Sequence, residues 1–465
     1  MIGIVGWGCY IPRLRLTGEV FASQWGGPNK GSRSLANFDE DTVTMAAEAA
    51  LECLEGHDPM EVDRLYFATT TPPYMEHQNA AIISAVADLR TDTLSADFCG
   101  SVRSGTTAMR AAHDAVKASE AENVMVCASD LRLATPGDPM ERTVGDAAGA
   151  FIIGRDRPVA VFSRFFSSSK LFLDRWRREG ERFVNYGDAK FINDEGILNH
   201  LPSIVNDLFD GMDLARDEVD KVVYYSPDLR LRKGLDKKLG FGDGSYDSNL
   251  LQSELGDTGC AQVFLGLLDA LEKAEPGEKI LLVNYGSGAD AVLLDVTAHI
   301  ERFQCSLHEQ MEVSAPVSSY GRYLKFRGLV PGEDLNIWTS FPVLWREEKQ
   351  NVRRLGKKCL SCGMVNFPPR PECKSCGGEE LETVKISRKG EVFTFTLDSL
   401  VPNPEPPTPM VSVDLDGGGR LYAQMTDVDP GTVEIGTKVE MVFRKLHEGG
   451  DFNHYFWKFR PALEE

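Results

Sequence analysis

Four cysteines restrict the folding choices of this chain more than any other feature. Cys359 and Cys362 form one C-x2-C pair, Cys373 and Cys376 form a second, and ten residues separate the pairs. Each pair can sit on a tight knuckle that turns both sulfurs toward one ion. Gly363, Gly377 and Gly378 follow the second cysteine of each pair, where a knuckle needs positive φ. Two knuckles complete a tetrahedral shell of four thiolates, which suits zinc; iron is the alternative the same ligands allow. Four thiolates leave no position for water, so the expected zinc is structural and takes no part in chemistry.

The first 300 residues show a different regularity: one layout occurs twice. A helical pattern, TVTMAAEAALEC from Thr42 to Cys53, leads through Val62-Asp63 into the strand RLYFATTTPP. Further on, ILNHLPSIVNDLF from Ile197 to Phe209 leads through Val219-Asp220 into KVVYYSPDLR, an offset of 157 between the two Asp residues. The parallel continues. Helix GTTAMRAAHDAV at Gly105 feeds strand NVMVCAS, and helix GCAQVFLGLLDAL at Gly259 feeds KILLVNYGS, with Val124 and Ile280 offset by 156. Each half closes with a glycine turn and a further strand, GDAAGAFIIG and GSGADAVLLDV. The strand runs are nearly continuous in apolar residues, as expected for strands buried on both faces. Their alternation with helices implies a parallel-rich sheet under helices. The expectation is a duplicated α/β core.

Past Arg353 the pattern changes. Short strands such as GEVFTFTLDSL, PMVSVDLD, RLYAQMTDV, KVEMVFRKL and HYFWKFRP are separated by turns at Asp416 to Gly419, Asp429-Pro430-Gly431 and Gly449-Gly450. That spacing indicates a small β-barrel or sandwich. A net charge of −20 argues against nucleic acid or an anionic membrane as the main partner. No run is long and apolar enough to span a bilayer. The start, MIGIVGWGCYIP, lacks the basic flank of a secretory signal and reads as a first strand. A cytoplasmic protein with reduced or metal-bound thiols is expected.

One cysteine outside the cluster has a setting suited to chemistry. Cys99, in SADFCGSVRSGTTAMRAAHDAV, is carried by a strand-like segment to the mouth of a helix. Free N–H groups and the helix dipole there are expected to lower its pKa and favour the thiolate, which can accept an acyl group from a thioester. A buried structural cysteine is the competing reading.

Two resemblances join these observations. The stretch CLSCGMVNFPPRPECKSCGG, followed by GEVFTFTLDSL and later FRP, resembles the family with a rubredoxin-like zinc ribbon and an OB-fold that accompanies thiolase-type enzymes; it covers about Trp345 to Ala462. The first 330 residues resemble the thiolase superfamily. They are most similar to archaeal-type 3-hydroxy-3-methylglutaryl-CoA synthase and ketoacyl synthase III. KLFLDRWRR at Lys170, ATPGDPMERTVGDAAGAFIIG at Ala134, GDTGCAQVFLGLLDALEKAEPGEKILLVNYGSGAD at Gly256 and SSYGRYLKFRG at Ser318 carry this resemblance. It implies a five-layer thiolase-like core with halves at residues 1–160 and 161–330. A linker at 331–352, the zinc ribbon at 353–385 and an OB-fold barrel at 386–465 follow.

The resemblance also implies roles. Cys99 falls where the family keeps its acylated cysteine. The family's histidine position reads as Ser226, its Asn turn is Gly256-Asp257-Thr258, and Thr70 stands at the place of the synthases' glutamate base, with Glu76 nearby. Asp257 and Cys260 are the candidate acid/base groups in their stead. His200, on an apolar-patterned helix, reads as a core histidine, and His77 lies in a loop. Gly286 and Ser287 are candidates for a thioester oxyanion site, and Arg230, Arg232 and Lys233 for coenzyme A phosphates. The expected activity is acyl-CoA-dependent acyl transfer of the thiolase type, forming or cleaving a C–C bond through an acyl-cysteine. Strict methylglutaryl-CoA synthesis is disfavoured by the replaced groups. The alternative is a non-catalytic acyl-CoA-binding partner of a thiolase or aldolase complex. A homodimer is expected by analogy, and a further thiolase-like subunit is a possible partner.

Overall fold

The computed structural model describes residues 1–210, 212, 214–241, 249–330, 339–401, 403–449 and 452–462. Residues 331–338, the first part of the expected linker, lie outside the described residues. The chain divides into two compact units, one of residues 1–36 and 45–320, the other of residues 37–44 and 321–465.

The first unit is built on nine strands. From one edge they run Leu94–Cys99, Arg64–Thr69, Val124–Asp130, Ala147–Gly154, Gly3–Tyr10, then Ala160–Ser169, Gly288–Val296, Lys279–Tyr285 and Lys221–Tyr224. The duplication is visible in this order. Outward from the middle, each half has a central strand, an antiparallel neighbour, a second antiparallel strand, and then a parallel one. The first half adds Leu94–Cys99, again parallel. The sheet is therefore mixed, with parallel pairing confined to the outer strands of each half, rather than parallel throughout. In the second half the glycine turn sends the chain straight back beside its predecessor, whereas in the first half a longer connection through Pro139–Arg142 precedes the returning strand.

The halves meet through only a short ladder, Gly3 with Val161 and Ile4 with Ala160. A Cβ at Gly3 would stand 2.0 Å from the Ala160 carbonyl oxygen, so this junction needs glycine. Helices Ser104–Lys117 and Gln262–Glu272 form the middle layer. They approach closely because Gly105 has no side chain: its Cβ would lie 2.8 Å from the Phe264 ring. Every residue from Val263 to Leu271 is buried, as a helix covered on all sides requires. Helix Thr42–Cys53 covers the outside of the first half, and helix Leu198–Phe209 covers the second with Leu201, Ile204, Val205 and Leu208. The result is five layers, helix–sheet–helix–sheet–helix.

The second unit opens with a three-stranded ribbon, Leu355–Cys359, Val365–Asn366 and Leu381–Lys385. Its five-stranded sheet runs Arg420–Gln424, Thr408–Leu415, Lys389–Asp398, Lys438–Gly449 and Phe452–Pro461. A bridge between Met425 and Phe459 draws the two edges together and rolls this sheet into the expected barrel. The unit also contains Asn37–Thr44, from the other end of the chain. Arg444, fully buried, pairs there with Glu40 at 2.9 Å and with Asp427 at 2.9 Å, and Lys458 pairs with Asp39 at 2.9 Å.

Candidate functional site

Cys99 ends strand Leu94–Cys99, in register with Thr69 of the neighbouring strand. Two residues earlier, Asp97 accepts from the backbone N–H groups of Asn79 and Ala80, both at 2.8 Å. It thereby caps helix Asn79–Val86, whose own N-cap residue Gln78 supplies no side-chain bond. After Cys99 the chain turns at Gly100, φ +93°, and helix Ser104–Lys117 begins at Ser104. Of the cysteines in the first unit, Cys99 alone is exposed; Cys9, Cys53, Cys127 and Cys260 are buried, and Cys305 is half-buried.

Thr69, Thr70 and Thr71 all turn their hydroxyls to one buried carboxylate, Asp130, at 3.1, 2.9 and 3.2 Å. The other Asp130 oxygen accepts from the Cys260 N–H at 2.8 Å. The Cys260 thiol in turn donates to the Ser101 carbonyl at 3.4 Å, in the loop just past Cys99. Cys99, Cys260, Asp130 and Thr70 thus share one site. The pKa expectation for Cys99 is reversed. Although the residue is exposed, the protein around it takes part of its hydration, and this desolvation pushes the thiol up to about 11, with the charges of Asp97 and Asp130 adding to it. Burial and Asp130 also hold Cys260 well above an ordinary thiol. Because only the thiolate reacts, alkylation of Cys99 by iodoacetamide is expected to rise about tenfold per pH unit from neutrality toward pH 11. A rate already flat at pH 8, read by peptide mapping, would show a thiol activated by some other group.

Asp257 heads a second, adjoining cluster. Its carboxylate takes Arg132 at 2.6 Å, Arg175 at 3.4 Å, the Tyr225 hydroxyl at 2.9 Å and the Gly259 N–H at 3.1 Å. Tyr225, fully buried, also accepts from Arg175 at 2.7 Å. Burial pushes the phenol up, so it holds its proton. It works against the Arg132 charge as well, yet Asp257, Tyr225 and Asp130 together carry that guanidinium upward.

Ser226 does not enter this cluster. Its hydroxyl bonds the Asp228 carbonyl at 2.8 Å, and the side chain delivered to the site is its neighbour Tyr225. Asp130, Arg132, Arg175 and Tyr225 were not singled out from the sequence. The one available signal was a charged residue, Asp130, closing a fully buried strand that is apolar as far as Ala128.

The turn at Gly286 lies against the loop after Cys99: a Cβ on Gly286 would stand 2.3 Å from Ser101 Oγ and 3.1 Å from Arg103 N. The Gly286 N–H is used inside the turn, on the Gly288 carbonyl at 3.0 Å. Ser287, exposed with φ +49°, is the tip. Arg230, Arg232 and Lys233 lie on helix Leu229–Leu239. Arg230 and Lys233 are exposed, but Arg232 is 3% exposed and sits over the Tyr224 ring at 4.5 Å. Its position on the helix face that carries Leu231 and Leu235 inward takes it away from any solvent-borne phosphate. Glu76 and His77 are exposed, with the His77 ring against Tyr74. His200 is half-buried with its ring between Phe172 and Tyr285, and its Nδ1 is without a hydrogen-bond partner among the described residues, so it is not the satisfied core histidine expected.

In the second unit the four cysteines converge. Their sulfurs all lie within 4.8 Å of one another, with Cys359 and Cys376 at 3.6 Å and Cys362 and Cys373 at 3.6 Å. Sulfurs about 2.3 Å from a central ion in tetrahedral array have this separation, so the set fits zinc. The two knuckles are built alike: Gly363 N–H bonds the Cys359 carbonyl at 2.9 Å, and Gly377 N–H bonds the Cys373 carbonyl at 2.9 Å. Gly363 has φ +76° and Gly377 φ +72°, as expected for knuckle glycines. Backbone N–H groups of Cys376 and Ser375 bring the Cys373 thiol down to about 6, and those of Cys362 and Ser361 lower Cys359. The backbone therefore favours thiolates at Cys373 and Cys359 before any ion binds; at Cys362 the Met364 N–H acts the same way, but the neighbouring sulfurs of Cys376 and Cys373 push the thiol up to about 12.

Comparisons with known proteins agree with both units. Residues 355–382 match the family described as "ChsH2, rubredoxin-like zinc ribbon domain", and residues 383–444 match "ChsH2, C-terminal OB-fold domain". A hydroxymethylglutaryl-CoA synthase of Methanopyrus kandleri is 30% identical over 340 residues, which are 70% of this chain and 97% of the relative. A crystal structure of an HMG-CoA synthase complexed with CoA superposes with a TM-score of 0.64 at 22% identity, over 73% of this chain and 94% of the other. The 3-oxoacyl-[acyl-carrier-protein] synthase III of Aquifex aeolicus superposes with a TM-score of 0.57 at 20% identity, over 63% of this chain and all of its own. With a five-layer duplicated core, an exposed cysteine beside a buried acid, and a relative this similar along its whole length, the chain belongs to the hydroxymethylglutaryl-CoA synthase family of acyl-CoA acyltransferases, with a zinc ribbon and OB-fold added.

Proposed function

We propose that this protein transfers acyl groups from coenzyme A thioesters through an acyl-Cys99 intermediate, forming or cleaving a carbon–carbon bond. The observation that carries the proposal is that Cys99 is the exposed thiol of its unit, the others being buried or half-buried. In the step proposed, the Cys99 sulfur adds to the thioester carbonyl and coenzyme A leaves as the thiol, taking up the proton that Cys99 gives away. Asp257, joined to the Tyr225 hydroxyl, is the acid/base pair for the second half of the reaction. Cys260 is a positioning residue, holding Asp130 on one side and the Ser101 loop on the other. The turn at Gly286 and Ser287 faces the thioester oxygen, with Ser287 the candidate donor. Arg230 and Lys233 remain the candidates for coenzyme A phosphates. Thr70 spends its hydroxyl on Asp130, which supports a reaction other than strict methylglutaryl-CoA synthesis.

The test is intact-mass spectrometry after incubation with short-chain and aromatic acyl-CoAs. The expected outcome is one acyl adduct on the wild type and none on Cys99→Ala. Absence of an adduct with every thioester would sink the acyl-enzyme reading.

We also propose a homodimer. Strand Leu94–Cys99 is the edge of the nine-stranded sheet, and an unpaired edge is a ready surface for a second copy. Light scattering on the eluted protein is expected to give twice the chain mass of 51.4 kDa; a concentration-independent monomer would exclude it.

A further inference from the structure

The strand Lys221–Tyr224 ends one residue before Tyr225. Its ladder with Lys279–Tyr285 runs as far as Tyr224, and one further bond follows, from the Tyr225 N–H to the Val283 carbonyl at 2.9 Å. Pro227, without an N–H, then takes the chain out of the sheet. The Ser226 carbonyl between them finds its partners in two side chains. Gln252 Nε2 and Gln262 Nε2 each donate to it at 2.7 Å, which fills both lone pairs. The two glutamines flank Asp257, one five residues before it and the other five residues after. Gln252 lies on helix Asn249–Leu255, Gln262 opens helix Gln262–Glu272, and Asp257 sits in the turn between. The Tyr225 hydroxyl meets the same turn, on Asp257 at 2.9 Å. The backbone of that turn is fastened separately: the Asp257 N–H donates to the Thr143 carbonyl at 2.6 Å, and the Gly145 N–H to the Asp257 carbonyl at 3.0 Å. Two ties therefore join the strand end to the turn, one through the Ser226 carbonyl and one through the Tyr225 phenol.

The first tie destabilises the fold that makes it. With both N–H groups turned to one carbonyl, Gln252 Oε1 and Gln262 Oε1 are buried without a hydrogen-bond partner among the described residues. Thr258 Oγ1, 1% exposed, is a third such atom, and the three residues line one cavity of about 20 Å³. Apolar side chains of the same size would serve packing better, as they do from Val263 to Leu265 on the same helix. Unpartnered buried oxygens held at one carbonyl call for a reason other than packing.

We propose that Gln252 and Gln262 are positioning residues that hold the Tyr225 hydroxyl on Asp257 for the second half of the reaction. This rests on the acid/base reading of that pair given above. In that step a thioester α-carbon gives a proton to the Asp257 carboxylate, and the C–H electrons pass to the thioester oxygen as an enolate. Displacing a proton-transfer group by about 1 Å can lower a rate about 100-fold. Acylation of Cys99 is independent of the tie. Cys99 is placed by its register with Thr69, and the loop after it by the Cys260 thiol on the Ser101 carbonyl.

The test uses the full-length zinc-loaded protein with acetyl-CoA and two readouts. One is the acetyl adduct on Cys99 by intact mass; the other is deuterium uptake at the acetyl α-carbon in D2O. Gln252→Met and Gln262→Met keep the side-chain length and remove the donors. Each is expected to form the adduct at the wild-type rate and to lower deuterium uptake about tenfold, the double variant about 100-fold. Gln252→Glu separates positioning from packing. Its protonated carboxyl can donate to the Ser226 carbonyl, whereas the ionised form repels it. Its uptake rate relative to the wild type at the same pH is expected to approach one in mild acid and to fall as the pH rises. This comparison also decides the case if the methionine variants do not fold. Variants that lose adduct and uptake together, variants with wild-type uptake, or a Gln252→Glu ratio constant across pH overturn the inference. A wild type that takes up no deuterium overturns the acid/base reading of Asp257 itself, and the role of the glutamines with it.

Discussion

Removing the metal is expected to unfold the ribbon between residues 355 and 385, the largest single loss of stability this chain offers. The ribbon's three strands enclose few apolar side chains; Val365, Phe367 and Ile386 are the buried ones beside Cys359 and Cys373. That burial cannot offset the entropy of ordering two knuckles and the loops around them. In such modules the binding energy of the ion is folding energy, about 10 kcal/mol or more. Zinc analysis is expected to find one ion per chain. After treatment with a strong chelator, limited proteolysis is expected to cut within this stretch, where the loaded protein resists. Resistance unchanged by metal removal, or iron in place of zinc, would defeat the prediction.

A second large effect is expected at Arg444. This guanidinium is fully buried and faces three carboxylates, Glu40 and Asp427 at 2.9 Å and Asp39 at 3.6 Å. Lys458 is the other cation of the cluster, on Asp39 at 2.9 Å. Arg444→Met keeps the volume and removes the charge, leaving buried acids opposite one lysine. Breaking a buried ion pair from one side costs about 3–5 kcal/mol, because the remaining charge stays desolvated. Arg444→Lys should lose less, since it keeps the charge and gives up only the two-pronged geometry. Urea unfolding of the two variants beside the wild type checks this; equal midpoints for Arg444→Met and the wild type would refute it.

Sequence and structure divide along a physical line. Spacing along the chain was enough for the zinc ligands, because both knuckles are local turns that need only nearby cysteines and glycines. Hydrophobic periodicity and the repeated Val-Asp marker were enough for the duplicated core, because helices and strands carry their own period and the copies keep their order. The strand directions were less legible. Continuous apolar runs report burial on both faces, not direction, so the mixed sheet was read as parallel-rich. Cys99 could be found from its place between strand and helix, but its high pKa could not. That pKa depends first on desolvation and then on Asp97 and Asp130, of which the last arrives from a different strand.

The sequence by itself determined the metal site, the two-part plan and the identity of the reactive cysteine candidate. Only the tertiary structure decided that Tyr225 rather than Ser226 meets Asp257, that Arg232 is turned onto Tyr224, and that Asn37–Thr44 belongs with a barrel beginning near residue 386. A one-residue step along a strand end sends a side chain to the opposite face, and composition does not register it. Charges as far apart in the chain as Asp39 and Lys458 form a pair only because folding has removed the water between them.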